Sequence, residues 1–180
     1  MLEITIPRRE YWDPVTEQFI TLNQTTLRLE HSLLSLSKWE SKWKIPFLSK
    51  ENKTLEQTKD YVRCMTLTQN VNPLVYDCLT KENYDEVGDY INDTMTATTI
   101  KQGNGRHSRE IITNEIIYYW MVALQIPFEP CEKWHLNRLM TLIQVTSIKN
   151  QPPKKMGKKN IMQSNAAINA ARRARLGSKG

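Results

Sequence analysis

The stretch TNEIIYYWMVALQIPFEPCEKWHLNRLMTLIQVTSI, residues 113–148, decides the fold class. Thr113 stands where a helix cap belongs, and Ile116, Ile117, Trp120, Met121 and Leu124 follow on one face at helical spacing. Pro127 ends this helix. Pro130 suits the first position of the next, which carries Trp134, Leu136, Leu139, Met140, Leu142 and Ile143 and runs to Ile148. Two helices joined by a short proline-containing loop should pack as an antiparallel hairpin. The longest apolar run, Ile116 to Leu124, falls well short of the ~18 residues that span a bilayer. It reads as a buried helix, and no membrane association is expected.

More helices lie upstream. Ser37 and Glu40 have capping-box spacing before Trp43, and Pro46 stops that short helix. Thr54 and Gln57 repeat the spacing and open a helix to about Leu67. Asn72-Pro73 opens a short helix to Leu79, and Thr80 caps another to about Ile91. The first thirty residues read as β structure. Leu2, Ile4 and Ile6 alternate with polar residues, as do Leu27 and Leu29. Tyr11-Trp12 and Phe19-Ile20 flank Asp13-Pro14-Val15-Thr16, which has the chemistry of a hairpin turn. Thr94 to Ile100 is rich in β-branched residues, and Gly103-Asn104-Gly105 reads as an exposed loop. The expected fold is mainly α: a compact helical domain over 36–150, a small N-terminal β-hairpin or sheet over 1–35 packed on it, and a basic helical extension over 151–180.

Gln151-Pro152-Pro153 marks the clearest boundary, because two prolines favour extended backbone. Beyond it, Lys158 to Leu176 is rich in Ala and Arg, and Gly177 suits the end of a helix. Residues 149–180 hold nine basic residues and no Asp or Glu. The net charge of +6 for the whole chain therefore leaves −3 on the remainder.

The sequence is poor in catalytic signals. Cys131 and His135 are four apart on a helix, but no second pair has matching spacing for a zinc site. A packed helix face is the plainer reading, and no metal or cofactor is expected. The three cysteines, odd in number and widely spaced, read as reduced thiols. Gly103-Asn104-Gly105 is a lone GxG without the Lys-Ser/Thr of a phosphate loop. No nucleophile elbow, HExxH or CxxC is present, so an enzyme is not expected. The opening MLEITIPRRE lacks a basic leader followed by an apolar run, so no secretory signal is expected either.

Two features point to a partner. Trp39 and Trp43 share a face at i, i+4 on an otherwise polar helix, and core packing competes with lining a groove for a partner helix. Lys154, Lys155, Lys158, Lys159, Arg172, Arg173 and Arg175 make the tail a candidate for a nucleic-acid backbone, for an acidic protein surface, or for a solvated extension. The tail has no aromatic residue on which bases would stack.

Several stretches together resemble tail assembly chaperones, small proteins encoded beside the tail genes of long-tailed phages. They are LRLEHSLLSLSKWESKWKIPFL (27–48), DYVRCMTLTQNV (60–71), REIITNEIIYYWMVALQIPFE (109–129), EKWHLNRLMTLI (132–143), and the tail KNQPPKKM (149–156) with SNAAINAARRARLGSKG (164–180). The resemblance implies a non-enzymatic protein of the host cell cytoplasm. It would bind the long helical tape-measure protein, prevent its aggregation before the tail tube polymerises, and give way to tail-tube subunits. Self-association along that partner is also implied. The alternatives are a structural virion protein, such as a connector or tail component, and a small nucleic-acid-binding regulator acting through the basic tail.

Overall fold

The alternating apolar residues at the N-terminus build two antiparallel strand pairs. The computed structural model describes residues 1–13, 17–100, 111–151 and 157–177, with Lys158 and Lys159 described as backbone. β1 (Leu2–Ile6) pairs with β4 (Thr25–Leu29), and β2 (Arg9–Asp13) pairs with β3 (Gln18–Leu22) as a hairpin nested between them. Within the hairpin Tyr11 faces Ile20 and Trp12 faces Phe19. The turn residues Pro14, Val15 and Thr16 lie outside the described residues.

The expected mainly α class is corrected here. Helix makes up 55% of the structure and strand 15%, an α+β arrangement of two small two-stranded sheets and helices. The β1–β4 pair forms one wall of the core. Ile4, Ile6, Leu27 and Leu29 project from its inner face and are all at most 3% exposed. Its outer face is polar, with Thr5 against Thr26 and Glu3 near Arg28. β4 is bordered on both sides. On the side away from β1, Leu67 N–H donates to the Arg28 carbonyl and Glu30 N–H to that of Met65. Just past its end, Leu136 N–H donates to the carbonyl of His31.

The helices are α1 (Leu33–Trp43), α2 (Leu55–Met65), α3 (Lys81–Asn92), α4 (Asn114–Ala123), α5 (Phe128–Cys131), α6 (Leu136–Asn150) and α7 (Lys158–Leu176), with a 3-10 turn over Pro73–Cys78. Thr54 with Gln57 closes the capping box that starts α2, and Thr80 with Asn83 does the same for α3. α1 starts earlier than expected. Its cap is Ser32, boxed with Ser35, so Ser37 sits inside the helix. α4 also ends before its proline. Gln125 takes a left-handed backbone (φ 56°), its N–H donates to the Val122 carbonyl, and Ile126 N–H donates to that of Met121. Pro130 does not open α6. It follows a cis peptide within α5, and α6 begins only at Leu136, after His135 pairs with Ser32 beyond the end of β4. Thr94–Ile100 forms no regular element, and Gly103-Asn104-Gly105 lies outside the described residues. No described helix is long and apolar enough to cross a membrane. The chain divides into two units, Met1–Lys149 and Asn150–Gly180.

Two buried polar groups tie the first unit together. Glu40 of α1 is 7% exposed, and its carboxylate accepts from Phe47 N–H (2.7 Å), Asn114 N–H (2.8 Å) and the Asn114 side-chain amide (2.6 Å). Thr113, the N-cap of α4, makes no side-chain cap bond, so Glu40 supplies that cap from another helix. The second group is a pair of imidazoles. His31 and His135 are 2% and 5% exposed, with ring centroids 5.1 Å apart. His31 Nδ1 is hydrogen-bonded to the Tyr61 hydroxyl. His135 donates from Nε2 to the Tyr90 carbonyl and accepts the Asn137 N–H at Nδ1, which caps the start of α6. Burial, and then the neighbouring His135, hold His31 down to about 3, and burial lowers His135 as well.

Two tests follow from these groups. Glu40→Ala strands three buried N–H donors and should cost about 2–4 kcal/mol in urea unfolding. A loss within the scatter of surface mutants would remove Glu40 from this role. The histidines act on pH dependence. Unfolded, each binds a proton near its ordinary value of 6.5; folded, each resists it. The stability they support is complete above that value and is lost as the pH falls below it, for His31 toward about 3. Each lowers stability by up to about 1.4 kcal/mol per pH unit while its folded form stays unprotonated. The urea midpoint should drop between neutral pH and pH ~5, and His31→Gln should flatten the drop. An unchanged slope in that variant would contradict the assignment.

Candidate interaction surface

Trp39 belongs to the core. It is 0% exposed, its Nε1–H donates to the Gln57 carbonyl, and its ring packs edge-on against Phe47 and Tyr61. It has no surface to offer a partner. Trp43, one turn on, is half-buried and donates its Nε1–H to Asp60 at 2.9 Å. The cleft beside it, about 300 Å³, is lined by Lys42, Lys59 and Arg63 and by Glu56, Asp60 and Asp77. Lys42 pairs with Asp60 and Lys59 with Asp77. Balanced, mostly paired charges make this a poor seat for an apolar partner face. The expected Trp39/Trp43 groove is therefore not formed.

The apolar groove lies between α4 and α6. Its volume is about 450 Å³. On one side stand Ile112, then Trp120 and Ala123 of α4, and Leu124 at its C-cap; on the other, Met140, Ile143, Gln144, Ser147 and Ile148 of α6. None of these carries a charge. α4 packs on α1, to which Asn114 is hydrogen-bonded, and its buried residues are Asn114, Ile117 and Met121. Its next face, Tyr119 and Val122, is 67% and 62% exposed. Ile148 at the far end of the groove is 51% exposed. A helix that is apolar on all sides is normally buried on all sides, and this one is not. Between these two helices, expected to pack as an antiparallel hairpin, the structure has a groove. The signal was present in the sequence: IIYYWMVAL offers no polar face to solvent, so core packing alone does not account for it.

The basic candidates fall in the second unit. Lys154 and Lys155 lie outside the described residues, as do Pro152 and Pro153 of the diproline break. Lys158 and Lys159 form the first turn of α7. Arg172, Arg173 and Arg175 are exposed near its end, which Gly177 closes in a left-handed conformation (φ 63°). The described side chains of α7 are exposed or nearly so, including Ile161, Met162, Ile168 and Leu176.

The Cys131 and His135 pair makes no metal site. Both are buried, both His135 nitrogens are engaged in hydrogen bonds, and no group of three or more potential ligands exists among the described residues. All three cysteines are free; burial raises the thiols of Cys64 and Cys78 above their ordinary range. Such thiols are poor nucleophiles.

Neither a scan against protein-family models nor searches of curated proteins and of solved structures return a match.

If the α4 ridge serves binding and not folding, polar replacements there are tolerated. Tyr119→Ser and Val122→Lys should each change stability by no more than about 0.5 kcal/mol. Met121→Ala, on the buried face of the same helix, should cost about 2–5 kcal/mol. Equal losses on both faces would assign the ridge to the core.

Proposed function

We propose that this chain is a phage tail assembly chaperone. It acts in the host cell cytoplasm and holds the tape-measure protein before the tail tube polymerises. The observation that carries the reading is the uncharged groove between α4 and α6, bordered by the exposed Tyr119 and Val122. Such a surface accepts the apolar stripe of an amphipathic helix. A long helical protein presents that stripe many times, so weak, reversible contacts by many copies would cover it and still release it. The stretches quoted above supply the identity of the partner by resemblance. The charge-lined cleft at Trp43 is assigned no part in it.

The alternative, a structural virion component, is favoured by the acid-free segment 149–180, which suits docking on neighbouring subunits. Composition of the virion separates the two. A chaperone is absent or scarce in purified particles by quantitative mass spectrometry, and a structural part is stoichiometric.

Co-expression tests the surface directly. The wild-type chain should co-purify with the tape-measure protein and keep it soluble. Ala123→Glu with Ile148→Glu, both at exposed groove positions, should reduce co-purification by about tenfold or more, since each buries an unpaired charge on binding. Trp43→Ala should leave it unchanged. Undiminished co-purification of the double variant would refute the groove assignment.

A further inference from the structure

We propose that, before a partner arrives, the groove between α4 and α6 is covered by the α4 ridge of a second copy of this chain. The two copies form a reversible two-fold dimer, which a partner helix must displace. This rests on the helix-in-groove reading above and adds the occupant that holds the same site in reserve. It differs from self-association along a partner, because here the second copy and the partner exclude one another.

Both halves of the contact lie in the first unit. The groove follows α6 from Met140 to Ile148, a rise of about 12 Å. α4 is 10 residues long and so rises about 15 Å, which matches that length. Tyr119 and Val122 stand on its uncovered side, mostly exposed, and neither lines the groove. They can therefore enter the groove of another copy while their own groove receives the other copy's ridge. Such a reciprocal contact is isologous, so it closes at two copies. With the two-fold axis across α4, the two copies of that helix run antiparallel, and both grooves are filled at once.

Charge permits this pairing. The groove walls carry no charged side chain, and α4 carries only Glu115, which its own backbone N–H and Thr113 hold at the helix start. The exposed face of α3, by contrast, holds Glu82, Asp85, Glu86 and Asp89, and two copies of that face repel. Area sets the strength. Tyr119, Val122 and Ile148, with the partly exposed Trp120, Leu124 and Met140, leave on the order of 400 Å² of apolar surface on each copy. A patch of that size on a monomer is often functional. It is about half of the ~800 Å² that each partner gives to a stable complex. The dimer therefore forms at high protein concentration, opens on dilution, and yields to an apolar helix that fills the groove better. Only the open form receives the partner, so the dimer lowers the partner's apparent affinity by the open fraction.

The test is sedimentation velocity of the full-length chain over dilution from about 100 μM to about 1 μM. Wild type should pass from dimer to monomer. Each copy carries +6, so salt, by screening that repulsion, should favour the dimer. Val122→Lys and Tyr119→Ser on the ridge should each shift the midpoint at least roughly tenfold toward monomer, as should Ala123→Glu with Ile148→Glu at the groove. At the dilute end, where all are monomers, the ridge variants and wild type should unfold alike. A designed helical peptide with Leu at i, i+4 and i+7, added in excess, should convert concentrated wild type to peptide-loaded monomer, with its binding read separately by fluorescence anisotropy. Wild type that stays monomeric throughout would overturn the proposal and leave the groove reading standing. So would a dimer untouched by the ridge variants, a dimer weakened by salt, growth beyond two copies, or peptide that binds the dimer without opening it. No binding of the peptide at the dilute end would overturn the groove reading, and the displacement with it.

Discussion

The carboxylate of Glu40 is the constraint on which the arrangement of α1, the turn after it and α4 depends. A charge nearly shut off from water is costly unless each lone pair finds a donor. Here three N–H groups converge on it, one from Phe47 and two from Asn114. Charge-assisted bonds of this kind are stronger than neutral ones, and the helix start adds a favourable dipole. The same residue uses its backbone carbonyl to accept Lys44 N–H where α1 ends in a left-handed turn. One residue thus ends one helix, shapes the return to Phe47 and starts another helix far along the chain. Only when α4 is set on α1 in this way do its remaining faces form the ridge and the groove wall.

The rest of the first unit is organised by β4 and its continuation. β1, Thr66-Leu67 and His135-Leu136 all join this one line of backbone, so strand, α2 and α6 are referenced to it. The two histidines lie at that junction, within an aromatic group that includes Phe47 stacked on Tyr61 at 3.9 Å. A neutral imidazole fits there because it both accepts and donates. His135 uses one nitrogen on the Tyr90 carbonyl and the other on the first turn of α6. A fully apolar residue would leave those backbone groups without partners, which explains a polar ring in the core better than any catalytic role does.

What the sequence revealed was local, and what it hid was remote. The capping box at Thr54 and the cap at Thr80 were legible because cap and capped N–H are three residues apart. The β2–β3 hairpin was legible because its turn chemistry lies between its strands. The pairing of β1 with β4 spans the whole hairpin and has no turn to announce it, so the sheet looked like an accessory to a helical domain. Glu40 misled for the same reason. At three residues from Ser37 it mimicked a local capping partner, while its true partner, Asn114, is 74 residues away. Trp39 and Trp43 share a helix face, yet one is sealed in the core and the other hydrogen-bonds to a charged cleft. Periodicity places side chains on a face; only the tertiary neighbours decide whether that face meets protein or water.

The same logic accounts for α4. In a helix that packs on one side and faces water on the other, the apolar stripe and the buried stripe coincide. In α4 they part, because apolar residues continue around the helix while only Asn114, Ile117 and Met121 are buried. Such surplus apolar surface lowers solubility and gains nothing for the isolated fold. It is tolerable when the helix is held rigidly, since a fixed ridge binds a partner helix without ordering itself first. The Glu40 cap at one end of α4 and the left-handed turn at Gln125 at the other supply that rigidity. The buried charge inside the fold and the uncovered apolar surface outside it are therefore two sides of one arrangement: the first fixes the helix so that the second is presented.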